Sequence, residues 1–301
     1  MSDNRLPLTI LGGWLGAGKT TWLRHQLHEG LHAHVMVNEA AGVAVDDALL
    51  SHAQGVTVLA GGCACCDGLH HLVAALRALA DRRSSGEAVP EIILETSGLA
   101  DPATIITALT DDPILARHFR LTGTTVLVDA ANGAAELAAG TLAIAQIRAA
   151  TALILTKTDA APPVATARLA ATLAALNPLA TLSAAVAGIA VSLSDVVADP
   201  LPLGQTMRAV TAITLPIPKS SDWASLSLWL SALLHAHGDR LIRLKGVVQT
   251  PAGRLLIQTV RKTVQPPEML PDGLGTDDIL AVIGENPDVA VVQASLARFL
   301  S

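Results

Sequence analysis

Gly13-Trp-Leu-Gly16-Ala17-Gly18-Lys19-Thr20 is a full GxxxxGKT phosphate loop, and its surroundings decide the fold. Residues 6–13, LPLTILGG, run into it as a short apolar strand, and a helix opens at Lys19 and reaches about His28. A strand feeding a glycine-rich turn that opens a helix is the context in which this string acquires a mechanism. Gly13, Gly16 and Gly18, with Ala17 among them, let backbone N–H groups converge on phosphates, and the helix amino terminus adds a favourable dipole. Lys19 would bridge the β- and γ-phosphates and the Thr20 hydroxyl would coordinate Mg²⁺, with Thr21 continuing the nucleotide-contacting run.

Outward from the loop, short apolar runs recur at strand length: HVMVN (34–38), VTVLA (56–60), EIILE (91–95), TTVLVDA (124–130) and ALILT (152–156). Helical patterns separate them. In Gly68–Arg83, Leu69, Leu72, Val73, Leu76 and Leu79 keep 3–4 spacing, and Pro162–Leu176 and the Ala-rich Ala131–Ala150 read as further helices. The alternation predicts an α/β fold: a P-loop NTPase domain with a mostly parallel sheet over residues 1–198. ADPLPLGQT (198–206) breaks the periodicity and reads as a linker. Beyond it the order is strand (Ala209–Ile217), helix (Asp222–His235), two strands (Leu241–Gln249 and Arg254–Val264) about a Pro-Ala-Gly turn, strand (Ile279–Gly284) and helix (Pro287–Leu300). Successive strands predict a small α+β domain over 207–301.

Composition narrows the partners. Hydrophobic residues make up 51% and charged residues 15%, so a large core is available, built without Tyr and with 2% aromatics. A formal charge of −6 leaves no footprint for a phosphate backbone, so no nucleic-acid partner is expected. Charge, Pro or Gly interrupts every apolar stretch before the ~20 residues of a spanning helix, so no membrane partner is expected either. The start, MSDNRLPLTILGG, lacks a basic segment and a cleavage site. The chain's 3 cysteines, Cys63, Cys65 and Cys66, cannot form a disulfide framework. These features predict the cytoplasm.

Two further stretches support nucleotide chemistry. EIILE leads into Glu95-Thr96-Ser97-Gly98-Leu99-Ala100-Asp101-Pro102. Glu95 at a strand end would hold the Mg²⁺ shell, and the Gly98 N–H would meet the γ-phosphate and sense its loss. ALILT ends in Thr156-Lys157-Thr158-Asp159, close to the Asn-Lys-x-Asp base-reading motif. Guanine presents N1–H and N2–H₂ donors that an Asp159 carboxylate can accept together, while Lys157 covers the base, so GTP is expected over ATP. Thr156 stands where the motif has Asn.

Cys63-Ala-Cys65-Cys66 follows VTVLA and a Gly-Gly turn at the start of a helix, where thiolates are favoured. Three sulfurs leave a tetrahedral site one ligand short. His70, four residues beyond Cys66, is a candidate for that place, with His71 as the neighbouring choice. Lone surface histidines are more often solvated than ligating.

The set GGWLGAGKTT, GGCACC, ILETSGLADP and LVDA, with HGDRLIRLKGVV near the carboxy end, resembles the CobW-type metal-chaperone GTPases. The resemblance spans nearly the whole chain. It implies GTP-dependent delivery of a transition metal, commonly zinc or cobalt (Zn²⁺ or Co²⁺), to a client metalloprotein. It also points to Glu39 as a possible further metal ligand. Where the family has Asn-Glu-Phe-Gly-Glu, this chain has Asn38-Glu39-Ala40-Ala41-Gly42, so the second acidic residue is replaced by Gly42. Two other readings share the phosphate loop: an ATP-dependent small-molecule kinase, with Asp101 as its candidate base, and a nucleotide-binding module with structural zinc. The sequence names neither the metal, the client nor the oligomeric state.

Overall fold

The computed structural model describes residues 3–38, 53–59, 67–202, 210–218, 222–237, 240–251, 253–260, 262–270, 278–285 and 289–300. The chain divides between Gly204 and Gln205 into two compact units.

In the first unit, β1 (Leu6–Gly12) is central, with Leu8, Ile10 and Leu11 fully buried. A strand covered on both faces has no solvent side to fill, hence its near-continuous apolar run. Around it lie β2 (Ala33–Val37), β3 (Gly55–Val58), β4 (Glu91–Glu95), β5 (Phe119–Asp129), β6 (Ala152–Thr156), β7 (Thr181–Val186) and β8 (Ile189–Val191). Their order across the sheet is β3-β2-β4-β1-β5-β6-β7-β8. All pairs are parallel except β7 with β8, a hairpin whose central residues Ala187 and Gly188 both have positive φ. That two-residue turn matches the right-handed twist of the strands it joins.

β4 is the direct neighbour of β1, with Leu11 paired to Glu95 and the Thr96 N–H donating to the Leu11 carbonyl at 2.9 Å. The strand that ends in Glu95 therefore stops beside the start of the phosphate loop. Both loops leave the carboxyl ends of neighbouring parallel strands, the usual place for a ligand crevice in a doubly wound sheet.

The connecting helices are α1 (Lys19–His28), α2 (Asp67–Ser84), α3 (Pro102–Asp111), α4 (Pro113–His118), α5 (Gly133–Ala139), α6 (Thr141–Ala149) and α7 (Pro163–Leu176). The helix expected over Ala131–Ala150 is thus two helices, because Gly140 between α5 and α6 is fully extended. Helices α3 and α4 meet at Asp112, whose carboxylate accepts from the Ile114 and Leu115 N–H groups and starts α4. Among the described residues, no helix is long and apolar enough to cross a membrane.

The second unit is an antiparallel sheet with two helices: β9 (Val210–Pro216), α8 (Trp223–His237), β10 (Leu241–Thr250), β11 (Gly253–Val260), β12 (Thr263–Val264), β13 (Glu268–Leu270), β14 (Ile279–Glu285) and α9 (Val289–Phe299). Its strand order is β12-β11-β10-β14-β9, with β13 on β11. The single strand expected over Arg254–Val264 is instead β11 and β12, which pair with each other. The core gathers Leu215, Leu226, Trp229, Ile257, Val282 and Leu296, with the Trp229 indole N–H on the Ser295 hydroxyl at 3.1 Å. Gly246 lets β10 and β14 approach closely, since a Cβ there would lie 2.1 Å from the Ile279 carbonyl.

Candidate nucleotide site

The phosphate loop is shaped by its glycines, most strictly at Gly13. Gly13 has φ of +127°, and a Cβ on it would lie 2.4 Å from the Leu127 carbonyl of β5. Gly16 and Gly18 also have positive φ. Beside the loop opens a cleft of about 360 Å³, lined by Leu15, Gly16, Gly18, Lys19, Thr20, Thr21, Val37, Asn38, Glu95, Thr96, Gly98 and Lys157. Most of the residues expected to touch nucleotide therefore share one concave surface.

Lys19 Nζ donates to the carbonyls of Gly13 (2.8 Å) and Trp14 (3.1 Å), which holds the ammonium over its own loop. The Thr20 hydroxyl donates to Glu95 Oε1 at 2.6 Å, and Glu95 is almost fully buried at the end of β4. A hydroxyl and a carboxylate brought together at the phosphate end of a cleft are hard oxygen donors of the kind Mg²⁺ takes, so these residues fit that ion. Gly98 lies against the phosphate loop: a Cβ on it would be 2.4 Å from the Leu15 N and 2.8 Å from the Trp14 carbonyl carbon. Only a residue without a side chain allows that approach.

Thr156, in the position of the motif's Asn, is buried at the end of β6, and its hydroxyl donates to the Ala17 carbonyl at 2.8 Å. The threonine thus ties β6 to the phosphate loop. Lys157 lines the cleft in a left-handed conformation, φ 54°. Asp159 is exposed on the single turn Thr158–Ala160 and is not among the cleft-lining residues. Asp101 caps α3, accepting from the Ala103 N–H at 3.0 Å.

Asp129, which strand patterning shows only as the end of an apolar run, anchors the cleft-lining Lys157. Its buried carboxylate accepts from Lys157 Nζ (2.8 Å), Asn132 Nδ2 (3.0 Å) and the Ala131 N–H (2.8 Å). Burial alone would raise this carboxyl, but those hydrogen bonds and the Lys157 charge outweigh it and hold it below its ordinary value. A depressed carboxyl stabilises the fold above its unfolded pKa, and that contribution is lost as pH falls through the folded value. We therefore expect Asp129→Asn to cost about 1 kcal/mol at pH 7, a modest figure because Lys157 is half exposed. Urea unfolding should show the difference from the parent closing below about pH 4. A gap as wide at pH 3 as at pH 7 would mean the charge is not the source.

Cys63, Cys65, Cys66 and Glu39 lie outside the described residues. His70 and His71 are on α2 and exposed. No group of three or more His, Cys, Asp or Glu able to hold a metal is found among the described residues.

Comparisons with known proteins agree with this architecture. The CobW/HypB/UreG nucleotide-binding domain matches residues 7–184, and the cobalamin synthesis protein cobW C-terminal domain matches residues 210–300. The chain is 30% identical over 279 residues to the zinc chaperone YjiA of Escherichia coli, covering 86% of this chain and 87% of that one. It is 30% identical over 164 residues to the zinc-regulated GTPase metalloprotein activator 1 of Schizosaccharomyces pombe, covering 51% of this chain and 39% of that one. The crystal structure of Zn(II)-bound YjiA GTPase from E. coli superposes with a TM-score of 0.64 at 23% identity, covering 99% of this chain and 100% of that one, a likeness of fold. Two domain matches in order along one chain, over a phosphate cleft built in this way, lead to one conclusion: the chain belongs to the CobW/HypB/UreG family and carries the CobW C-terminal domain.

Proposed function

We propose that this chain is a GTP-hydrolysing metallochaperone that binds a thiophilic divalent ion, zinc or cobalt, and hands it to a client metalloprotein. The observation that carries the nucleotide half is the cleft in which Lys19, Thr20, Glu95 and Gly98 meet, with the Thr20 hydroxyl on the Glu95 carboxylate at 2.6 Å. Mg²⁺ held by Thr20 and Glu95 would neutralise charge developing on the phosphates. Lys19 would bind the β/γ oxygens, Gly98 would contact the γ-phosphate, and Thr156, Lys157 and Asp159 would serve the guanine side. We assign this chemistry to residues 1–198 and a separate role to 207–301.

The metal half rests on Cys63, Cys65 and Cys66, with Glu39 or His70 as a further ligand. Zinc is the first candidate because relatives are named zinc chaperones. A reducing, cytoplasmic setting would keep the three thiols available. Coupling is supported by the strands that flank these residues. The Asn38 N–H donates to the Glu95 carbonyl and the Leu59 N–H to the Val37 carbonyl, each at 2.9 Å. Asn38 and Leu59 are thus held at the ends of neighbouring strands, and Asn38 is bonded to the strand that carries Glu95. The kinase reading loses support because Asp101, its candidate base, caps α3.

Zinc or cobalt titration of the parent and of a Cys63→Ser, Cys65→Ser, Cys66→Ser triple variant tests this reading, each loaded with GDP or a non-hydrolysable GTP analogue. The parent is expected to bind one ion with affinities that differ between the nucleotide states, and to lose affinity at acid pH as thiolates protonate. By linkage, the ion must then change the relative affinities for the two nucleotides by the same factor. Equal metal affinity in both states would make the cysteines a static zinc site and end the chaperone reading. Parent-like binding by the triple variant would place the metal elsewhere.

A further inference from the structure

Gln146 lies in the middle of α6 and is fully buried. Its Nε2 donates to two carbonyls of the segment that follows β4: Gly98 at 3.1 Å and Ala100 at 2.8 Å. The orientation of this amide is determined by chemistry. Turned the other way, its oxygen would face two carbonyl oxygens and both bonds would become repulsions. Both hydrogens of one NH₂ group are thus spent on the carbonyls of the residues on either side of Leu99. A buried polar side chain on a helix that otherwise buries alanine and isoleucine is costly unless it satisfies something, and what it satisfies here is the backbone of the Gly98 segment.

On its other side the segment meets the phosphate loop, where Gly98 is within a hypothetical Cβ's reach of Trp14 and Leu15. Trp14, Leu15, Gly98, Leu99 and Gln146 all line a second, largely apolar pocket of about 230 Å³. Trp14 Nε1 and Gln146 Oε1 are buried without hydrogen-bond partners among the described residues.

We propose that Gln146 is a positioning residue for the γ-phosphate sensor: its side-chain amide clamps the carbonyls on either side of Leu99 and holds Gly98 in the orientation its N–H needs. Gln146 is not among the residues that line the cleft beside the phosphate loop. It acts by making the segment rigid, so that γ-phosphate affinity is not spent on ordering it. The inference rests on the GTPase reading above and adds the link by which α6 supports the Gly98 segment.

The test uses the full chain with Gln146→Met, which keeps volume and removes both donors, and Gln146→Glu, which keeps shape and sets a carboxylate against two carbonyls. Affinities for GDP and for a non-hydrolysable GTP analogue, kcat and KM, and thermal unfolding are measured for each. The Met variant is expected to hold GDP within about twofold of the parent. It should lose about tenfold in the analogue-to-GDP affinity ratio and in kcat, the worth of one to two net hydrogen bonds. The Glu variant should lose more at pH 8. It should regain part of the ratio, normalised to the parent, as pH falls and its buried carboxyl protonates and donates once. A lowered melting temperature with the parent's ratio and kcat would mean a merely structural residue and overturns the proposal.

Hydrogen exchange on the parent needs no variant to fold. Peptides covering 97–101 and 141–149 are expected to gain protection together when the analogue replaces GDP, and protection confined to one of them overturns the clamp. A parent that binds no guanine nucleotide would instead sink the functional reading itself, and the clamp with it.

Discussion

Lys19→Ala is expected to abolish GTP turnover, lowering it by at least about a thousandfold, and to weaken nucleotide binding by about 10- to 100-fold. The first figure follows the loss of a preorganised charge aimed at the transferring group, the second the loss of one charge-assisted hydrogen bond. Among the described residues that line the cleft, none can substitute. The other cation lining the cleft, Lys157, has its ammonium on the Asp129 carboxylate. Lys19 donates to the Gly13 and Trp14 carbonyls of the phosphate loop itself, which places its ammonium where phosphate oxygens would be bound. The variant should fold normally, because its half-buried side chain fills no core position. Single-turnover hydrolysis beside a thermal melt reads both statements. Turnover at the parent rate would remove this loop from the chemistry.

The second large effect is expected at Gly98. A methyl group there would have to occupy space within 2.4 Å of the Leu15 N and 2.9 Å of the Leu15 Cα, both backbone atoms. No side chain can rotate away to relieve that contact, so either the phosphate loop or the segment after β4 must move. Thr96 bonds the segment to Leu11, and Gln146 bonds it to α6. The strain is therefore shared with the loop that binds phosphate. We expect Gly98→Ala to lower kcat at least a hundredfold and to destabilise the fold by about 1–3 kcal/mol, the usual range for overpacking. Denaturant unfolding and GTP hydrolysis on one preparation test it. Parent-like activity would mean that Gly98 is not held against the loop in solution.

Much of this site is legible in the sequence because its chemistry is local. The phosphate loop, Glu95 with Gly98, and Thr156 with Lys157 each sit at the end of an apolar run, and a run of that length announces a strand and its exit. Other features depend on which strands are neighbours. That β4 lies against β1 cannot be seen in two runs of similar apolar residues with two other strands between them along the chain, and with it goes the bond from Thr20 to Glu95. Asp129 is an acid at a strand end, a signal that is present but common. Its pairing with Lys157 needs β5 beside β6. Gln146 had a signal of its own: with Ala143 and Ile147 it forms the buried stripe of α6. A polar residue in an apolar stripe asks for a buried partner. The Ala-rich composition hid both that stripe and the break at Gly140, since alanine suits either face of a helix.

The cleft is assembled from chain segments that meet late. The Thr20–Glu95 bond closes a separation of 75 residues and the Thr156–Ala17 bond one of 139. Contacts of that range form slowly, since the chain must order long loops before they are rewarded. No partial fold can offer the phosphates all of their partners, so nucleotide binds the finished domain and not its precursors. Ligand at about 100 times its dissociation constant then adds about 2.7 kcal/mol to the stability of the folded state. For a chain whose net stability is of the order of 10 kcal/mol, the cellular nucleotide pool becomes part of what keeps the domain folded, and nucleotide starvation a route to its loss.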